Sequence, residues 1–346
     1  MLARVFSVMQ KRDDLPEMTL PLALLLIIAS SAFSCAGAQL LSSAVSEGYL
    51  PALVASLAFL PVAAGMYSLI ILLWRRLASL LVTPASLGLM MCFGVNTFSA
   101  VAFSVTVLLA AYTFAISMIS RETKFRRMTS LSVAVSLCLI LSLAGYVGVY
   151  FGTFADFIDS LMANLTSFIS ELYVSLGGAK THELCASEAR EIAVMLPAYI
   201  GITAIIISAA TDIIAKAAFR VLDCENVFIE LTKKITMPKT YAAVYFTVFL
   251  LLGFTSGVSN PLVYTFLKSV TYVMILPCAI VGVSSIVYRS EDEYFYMNGR
   301  RLTALILIFF IVMMFGFRAS VVLASACGAL KVIVQSKDKN NSIKNI

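Results

Sequence analysis

The 346-residue chain carries little charge and almost no histidine or tryptophan. Only 13% of its residues are Asp, Glu, Lys or Arg, about half the share that soluble domains typically carry. Because 60% of the residues are hydrophobic, one water-soluble globule could not bury them and keep a polar exterior. These figures exclude an ordinary cytosolic enzyme, a disordered chain and a secreted disulfide scaffold, and they predict a polytopic helical membrane protein.

The sequence also lacks most residues that build reaction centres. Its one histidine, His182, excludes most histidine-based metal sites and catalytic triads. The seven cysteines are scattered and include no C-x-x-C pair, so they predict neither a disulfide framework nor a zinc site. Phosphate-binding loops, nucleophile elbows, H-E-x-x-H helices and aromatic basic patches are missing. We therefore predict that the protein is not an enzyme, has no catalytic, cofactor-binding or metal-binding residues, and does not bind nucleic acid.

Long apolar runs are what the chain does have. A helix needs about 20 apolar residues to cross a hydrocarbon core about 30 Å thick. By this measure the sequence predicts eight spans, and a ninth if the proline-interrupted stretch 77–94 also crosses. That stretch is either a short extra span or a broken helix leading into Asn96. The predicted spans lie near 18–45, 49–73, 97–119, 131–153, 192–219, 240–258, 262–288 and 302–330.

Basic residues predict the orientation of these spans. Most Lys and Arg fall in four connections, at 74–76, 121–127, 216–239 and 289–301. The turns at 45–49 and 259–261 carry none, and the stretch 156–191 is net acidic. Because basic loops stay on the cytoplasmic side, the four connections are predicted to be cytoplasmic and the acidic stretch external. For all four to share one side, 77–94 must cross or be paired with a re-entrant segment.

The whole chain, 1–346, is predicted to form a single integral membrane domain. The tail 335–346 is basic and is predicted to be cytoplasmic or disordered. One crossing by the last span would leave this tail outside, a conflict that the sequence does not resolve.

The longest break in the apolar pattern is the segment 154–190. Within it, Phe154, Phe157, Ile158, Leu161, Leu165, Phe168, Ile169 and Leu172 recur at three- and four-residue steps. Acidic and amide residues take other positions, which predicts an amphipathic helix on the external side. This helix either lies flat in the headgroup region as a connector or folds over the bundle as a lid above a ligand cavity.

Ionisable residues at membrane depth are costly, so each is a candidate for function. Asp212 precedes Lys216 by four residues on one helix face, which predicts a salt bridge. Lys268 lies about two turns after Asn260, so its stem can reach the outer surface. Arg318 follows about 24 Å of apolar helix and either faces a polar cavity or marks a bend between two short segments. The candidate cavity or ligand residues are therefore Arg318, Lys268, Asn260 and Asp212.

The order of features after 188 is distinctive. Met195-Leu196-Pro197-Ala198 begins an apolar helix, Arg220 lies near its end, Phe228 follows in a polar loop, and Met237-Pro238 leads the next span. Over 190–335 this order resembles the YybS-like family of uncharacterised bacterial multi-pass membrane proteins, and the 121–127 connection is also similar. The N-terminal third departs from the family, because the expected pair of short proline-rich helices is not found. The resemblance implies a bacterial cytoplasmic membrane protein whose architecture is loosely similar to the substrate-binding subunits of energy-coupling-factor transporters.

Two functions follow as hypotheses. The first is a micronutrient-binding or transport component without its own ATPase, in which the amphipathic helix covers a cavity reached by Arg318, Lys268 and Asn260. The second is a membrane scaffold or assembly protein that docks partners through 223–239 and through its glycine-containing helix faces. The predicted partners are the lipid bilayer, a small-molecule ligand and other membrane proteins. A polar cavity lined by Arg318 would favour the first hypothesis, and a filled bundle the second.

Overall fold

The computed structural model describes residues 19–47, 50–74, 82–120, 122–175, 178, 181–221, 237–255, 261–287 and 319–333. These residues form helices and no strand, which confirms the predicted all-α fold. The helices are α1 (Leu20–Glu47), α2 (Leu50–Trp74), α3 (Val82–Cys92), α4 (Thr97–Ile119), α5 (Lys124–Tyr150), α6 (Phe154–Ser175), α7 (His182–Val194), α8 (Leu196–Val221), α9 (Lys239–Thr255), α10 (Pro261–Val287) and α11 (Ala319–Ile333).

Six of the described helices are long and apolar enough to cross a membrane, namely α1, α2, α4, α5, α8 and α10. Three others, α3, α9 and α11, are apolar but shorter. The helices therefore agree with a multi-pass membrane architecture, while the total of eight or nine spans stays a prediction. Most of the predicted span 302–330 lies outside the described residues, as does the tail 335–346.

Two predicted helix boundaries were wrong. The predicted span 131–153 begins earlier, with α5, because the Thr123 side chain caps this helix by accepting a hydrogen bond from the Arg126 backbone N–H at 3.4 Å. The predicted span 192–219 begins later, with α8. Pro197 stands at the second position of α8 and has no N–H to continue the hydrogen bonds of α7, so the chain forms two helices there.

The chain divides into two compact units. Unit 1 comprises Met1–Leu196 and Thr203–Lys233, and unit 2 comprises Pro197–Ile202 and Lys234–Ile346. Helix α8 therefore contributes 197–202 to unit 2 and its longer second part to unit 1. The single integral membrane domain over 1–346 stays a prediction.

Small residues bring the helices of unit 1 together. Ser30 Oγ of α1 donates a hydrogen bond to the Ala63 carbonyl of α2 at 3.2 Å. A Cβ added at Gly37 of α1 would lie 2.7 Å from Cε2 of Phe103 in α4, so a larger residue here would force the Phe103 ring to move. Since lipid is as apolar as the helix surfaces, close packing of this kind is what holds helices together in a membrane.

Contacts within unit 1 define two ends of its helix bundle. At the end that we call the asparagine end, Asn96 at the start of α4 contacts Ser42 near the end of α1 and Tyr150 at the end of α5. At the end that we call the arginine end, Arg127 in the first turns of α5 contacts Asp212 in the second half of α8. The distribution of basic residues predicts that the arginine end is cytoplasmic.

Trp74 and Asn96, on either side of the stretch 77–94, lie at opposite ends of the bundle. Helix α2 runs antiparallel to α1, so Trp74 lies at the arginine end, whereas Asn96 begins α4 at the asparagine end. The crossing of 77–94 stays a prediction, since 75–81 lie outside the described residues. Within the described part of this stretch, α3 is joined to α2 by a hydrogen bond of 3.1 Å between Thr83 Oγ1 and Tyr67 Oη.

The segment 154–190 contains two helices where one was predicted. Helix α6 starts after Thr153, whose Oγ1 accepts a hydrogen bond from the Asp156 N–H at 3.2 Å. Helix α7 packs against the apolar stripe of α6 around a small core formed by Leu165, Ile169, Cys185 and Ala189. Part of the predicted amphipathic face is therefore covered by α7 and not by lipid or by the bundle.

The helices of unit 2 are joined to one another by a polar contact and by a close approach of two backbones. The hydroxyls of Tyr245 in α9 and Ser325 in α11 share a buried hydrogen bond of 2.7 Å. Helices α10 and α11 meet at Gly282 and Gly328, where a Cβ added to Gly328 would lie 2.6 Å from the Gly282 nitrogen. Small residues at this crossing let the two backbones touch.

Candidate functional site

The four predicted site residues fall in different parts of the chain. Asp212 is buried in the part of α8 that belongs to unit 1, and Lys268 is partly buried in α10 of unit 2. Asn260 and Arg318 lie outside the described residues. The cavity predicted around Arg318, Lys268 and Asn260 therefore stays a prediction, and the site that can be built from described residues is the one around Asp212.

Asp212 is the centre of an ionic cluster that we call the Arg127–Asp212–Lys216 cluster. Arg127 donates from Nε and Nη2 to Asp212 Oδ1, at 2.9 Å and 2.7 Å. Lys216 donates from Nζ to Asp212 Oδ2 at 2.6 Å. The salt bridge predicted between Asp212 and Lys216 is thus present, and Arg127 is a third member that the sequence did not predict.

Arg127 reaches this position because α5 begins before it. The sequence predicts 121–127 as a basic connection, yet Arg127 is only 1% exposed and lies inside the helix. Its neighbour Arg126 points the other way, with 77% of its side chain exposed and a salt bridge to Glu122 at 3.2 Å. Two adjacent arginines of one predicted loop therefore occupy opposite environments.

A signal for the burial of Arg127 is present in the sequence. The next three buried residues of α5 are Leu131, Val135 and Cys138, at helical spacing from Arg127. An arginine in register with an apolar stripe is expected to lie on the packed face of the helix. The helical register of α5 does not predict the partner of Arg127, because Asp212 is 85 positions away in the sequence.

The cluster is enclosed by helices of unit 1. The guanidinium carbon of Arg127 lies 5.6 Å from the centre of the Phe114 ring in α4, a distance at which the ring face attracts a cation. The side chains of Arg127 and Asp212 are 1% and 2% exposed, whereas that of Lys216 is 24% exposed. The cluster therefore has a buried pair at its centre and one lysine that reaches toward the surface.

Charge in the cluster is not balanced. Two cations share one carboxylate, which leaves one positive charge in excess. Both oxygens of Asp212 accept hydrogen bonds, but the buried Nη1 of Arg127 has no partner among the described residues. Buried charge of this kind is expensive, and removing one member of a buried ion pair typically costs about 3–5 kcal/mol. The excess charge and the unpartnered donor mark this cluster as the candidate site.

The asparagine end is built differently. Asn96 Oδ1 accepts a hydrogen bond from the Phe98 N–H at 2.9 Å and so caps α4, while its Nδ2 donates to Tyr150 Oη at 2.8 Å. A chain of aromatic ring contacts lies beside Asn96 and is formed by Phe98, Tyr146, Tyr150, Phe151, Phe154 and Phe157. These groups join α4, α5 and α6, and they supply no buried charge. Their role is to hold the α6–α7 pair to the bundle.

In the part of the chain that the structure describes, His, Cys, Asp and Glu side chains form no group of three or more that could hold a metal ion.

Comparison with known proteins gives one family. Residues 38–326 match the family described as predicted membrane protein (DUF2232), a range that includes the entire Arg127–Asp212–Lys216 cluster. No curated protein and no solved structure matches the chain. The match covers well over half of the sequence, and the chain belongs to this family of predicted membrane proteins.

Proposed function

We propose that the chain is a multi-pass protein of the bacterial cytoplasmic membrane that binds or transports a small molecule and has no ATPase or other catalytic activity of its own. The observation that carries the proposal is the Arg127–Asp212–Lys216 cluster, buried between helices α5 and α8. Both helices are long and apolar enough to cross a membrane. Ionised side chains in such segments are rare and typically mark solute pathways or binding sites.

Stability alone does not explain this cluster. Replacing a buried ion pair with well-packed apolar residues is often neutral or stabilising, so a helical bundle gains little by keeping one. The cluster also joins α5 to α8 through a small number of strong contacts, and another charged group can displace one of the partners in these contacts. A ligand that binds better when one of these contacts is broken would shift the population toward that arrangement.

The resemblance to the YybS-like family, and through it to substrate-binding subunits of energy-coupling-factor transporters, supports the same proposal. It adds micronutrients as a class of ligand to test. The alternative is a membrane scaffold that docks partner proteins through 223–239, most of which lies outside the described residues. Because the cluster lies in the described part of the chain, small-molecule binding has the stronger support. The scaffold role is one outcome of the test.

A thermal-shift screen of the purified protein in detergent tests the proposal, with vitamins, nucleobases and amino acids as ligands. The matched control is the double variant Asp212→Leu/Arg127→Met, which replaces the buried pair by apolar side chains. We expect one class of compound to raise the Tm of the natural protein and to leave that of the variant unchanged. A ligand at 100 times its Kd adds about 2.7 kcal/mol to the free energy of unfolding, which is readily measured. No shift with any compound, together with stoichiometric copurification of a membrane protein, would favour the scaffold.

A further inference from the structure

We propose that the Arg127–Asp212–Lys216 cluster is an oxyanion-binding site, in which a carboxylate or phosphate group takes Arg127 as its partner in competition with Asp212. The inference rests on the proposed function and adds the charge and chemical class of the ligand. Two properties distinguish this cluster from an ordinary salt bridge: one positive charge in excess, and one buried donor that has no partner within the described part of the chain.

The hydrogen-bonding capacity of Arg127 is only partly used. A guanidinium has five N–H donors in a rigid fork that matches the two oxygens of a carboxylate or phosphate. Here Nε and Nη2 both donate to one oxygen of Asp212, and Lys216 donates to the other. Nη1 is left with no partner among the described residues although it is fully buried. An incoming oxyanion would satisfy this donor.

The charge around the cluster favours an anion and disfavours a cation. Asp212 is the one carboxylate in direct contact with the two bases among the described residues. Lys124 lies three residues before Arg127 in α5, a spacing that places both on neighbouring positions of the helix surface. A second negative group beside Lys216 and Arg127 would neutralise the excess charge, whereas a cation would add to it.

The approach to the site is from the arginine end, through Lys216. Its side chain is 24% exposed while its ammonium bonds Asp212, so it is the member of the cluster that an anion from the aqueous or headgroup region meets first. The basic connections predict that this end faces the cytoplasm. The same oxyanion chemistry is offered by a soluble phosphate or carboxylate and by the phosphate of a lipid headgroup, so the experiment includes both.

The test measures phosphate binding by the purified full-length protein in non-ionic detergent, with ionic strength held constant by chloride. We expect inorganic phosphate to raise the Tm with saturation, and chloride to have no comparable effect. Asp212→Asn removes the internal competitor for Arg127 and is expected to lower the Kd for phosphate at least about tenfold. Arg127→Lys removes the planar fork and is expected to raise the Kd at least about tenfold.

Two further variants keep the test decisive. Lys216→Gln leaves the Arg127–Asp212 pair intact and removes the excess charge, so it is expected to weaken phosphate binding without preventing folding. Arg126→Gln removes the same formal charge from the exposed neighbour and is expected to change the Kd less than about twofold. Unchanged binding in Lys216→Gln, or equal losses in Arg126→Gln and Arg127→Lys, would overturn the proposal, because either result assigns binding to the general surface charge.

The lipid arm repeats the titration in nanodiscs of phosphatidylcholine with and without phosphatidylglycerol. Competition between phosphatidylglycerol and phosphate supports a headgroup as the oxyanion, and binding that is indifferent to the lipid supports a soluble ligand. No saturable phosphate effect in either lipid overturns the inference. A positive small-molecule screen with no phosphate effect would defeat this inference alone, whereas phosphate binding with a negative screen would leave this inference standing and remove micronutrients as the class of ligand.

Discussion

The two ends of unit 1 attach helix α5 to its neighbours by opposite means. At the arginine end, α5 is tied to α8 by ionised side chains that are 1% and 2% exposed. At the asparagine end, α5 is tied to α4 by neutral hydrogen bonds and ring contacts. A neutral hydrogen bond contributes about 1 kcal/mol net, whereas a buried charge that loses its partner costs several times as much. The asparagine end is therefore a structural joint, and the arginine end is where we propose the binding site to lie.

The aromatic residues of the asparagine end suit this structural role. Tyr146 lies 5.0 Å from Tyr150 and 6.3 Å from Phe157, measured between ring centres, so it joins the end of α5 to the start of α6. Tyrosine is enriched where a membrane helix leaves the hydrocarbon, because its ring is apolar and its hydroxyl is polar. Gly152, with a φ of 74°, provides the left-handed turn between the two helices. Helix α6 is thus attached to the end of α5 by the packing of aromatic rings.

The largest expected difference between the two ends is their accessibility from outside the cell. A membrane-impermeant maleimide applied to intact cells is expected to label Ala155→Cys, just beyond the asparagine end, and to leave Arg126→Cys unlabelled. The background replaces Cys92 and Cys327, which are exposed, and Cys224 with alanine. Permeabilised cells, in which both variants should react, serve as the control. Labelling of Arg126→Cys in intact cells would reverse the assignment of the two ends.

The largest expected loss of stability comes from Asp212→Leu. This change leaves Arg127 and Lys216 without their shared carboxylate, and it is expected to lower the free energy of unfolding by about 3–5 kcal/mol. The measurement is the midpoint of thermal or denaturant unfolding in detergent. In Asp212→Leu/Arg127→Met the buried positive charge is removed as well, so most of the loss should be recovered. Equal instability of the single and double variants would show that packing around Asp212, and not its charge, is what matters.

At the asparagine end the largest effect is expected from Phe98→Ala. The Phe98 ring lies 6.2 Å from that of Tyr146 and 6.1 Å from that of Tyr150, and it is only partly buried. Loss of these contacts is expected to lower the free energy of unfolding by about 1–3 kcal/mol, less than for Asp212→Leu. Phe168→Ala, at a ring of α6 that is 40% exposed, is the matched control and should change stability little. Equal effects of the two variants would contradict a joint centred on Phe98.

A smaller effect is expected from Asn96→Ala, which removes the cap of α4 and the hydrogen bond to Tyr150. The expected loss is about 0.5–2 kcal/mol, toward the lower value because Asn96 is exposed. Tyr150→Phe removes the second bond alone and separates the two contributions. If both variants lose the same free energy of unfolding, the Asn96 cap contributes nothing and α4 is held by packing.

How much of this could be predicted from the sequence depends on the distance over which each contact acts. The apolar runs predict most of the long helices, and the spacing of Asp212 and Lys216 predicts their salt bridge, because both signals are local. The partnership of Arg127 with Asp212 could not be predicted, since it depends on how α5 packs against α8. Helix α7 was missed for a related reason. It packs through Cys185 and Ala189, which are too small to give a strong apolar stripe.

The smallest expected effect comes from Arg126→Gln, and it gives the sharpest form of the comparison. The side chain of Arg126 is 77% exposed and that of its partner Glu122 is 20% exposed. Solvent screens a salt bridge with one exposed partner, so we expect Arg126→Gln to change the free energy of unfolding by at most about 1 kcal/mol. Arg127→Gln, one residue later, leaves Asp212 with Lys216 alone in a buried site and should lower stability several times more. Both variants remove the same charge from the connection that orients the helices. If the two variants differ in unfolding midpoint while the labelling of Ala155→Cys is unchanged, the stability contributed by the buried cluster is separated from the charge that sets the topology. Equal unfolding midpoints would mean that Arg127 is no more buried in the membrane than its neighbour.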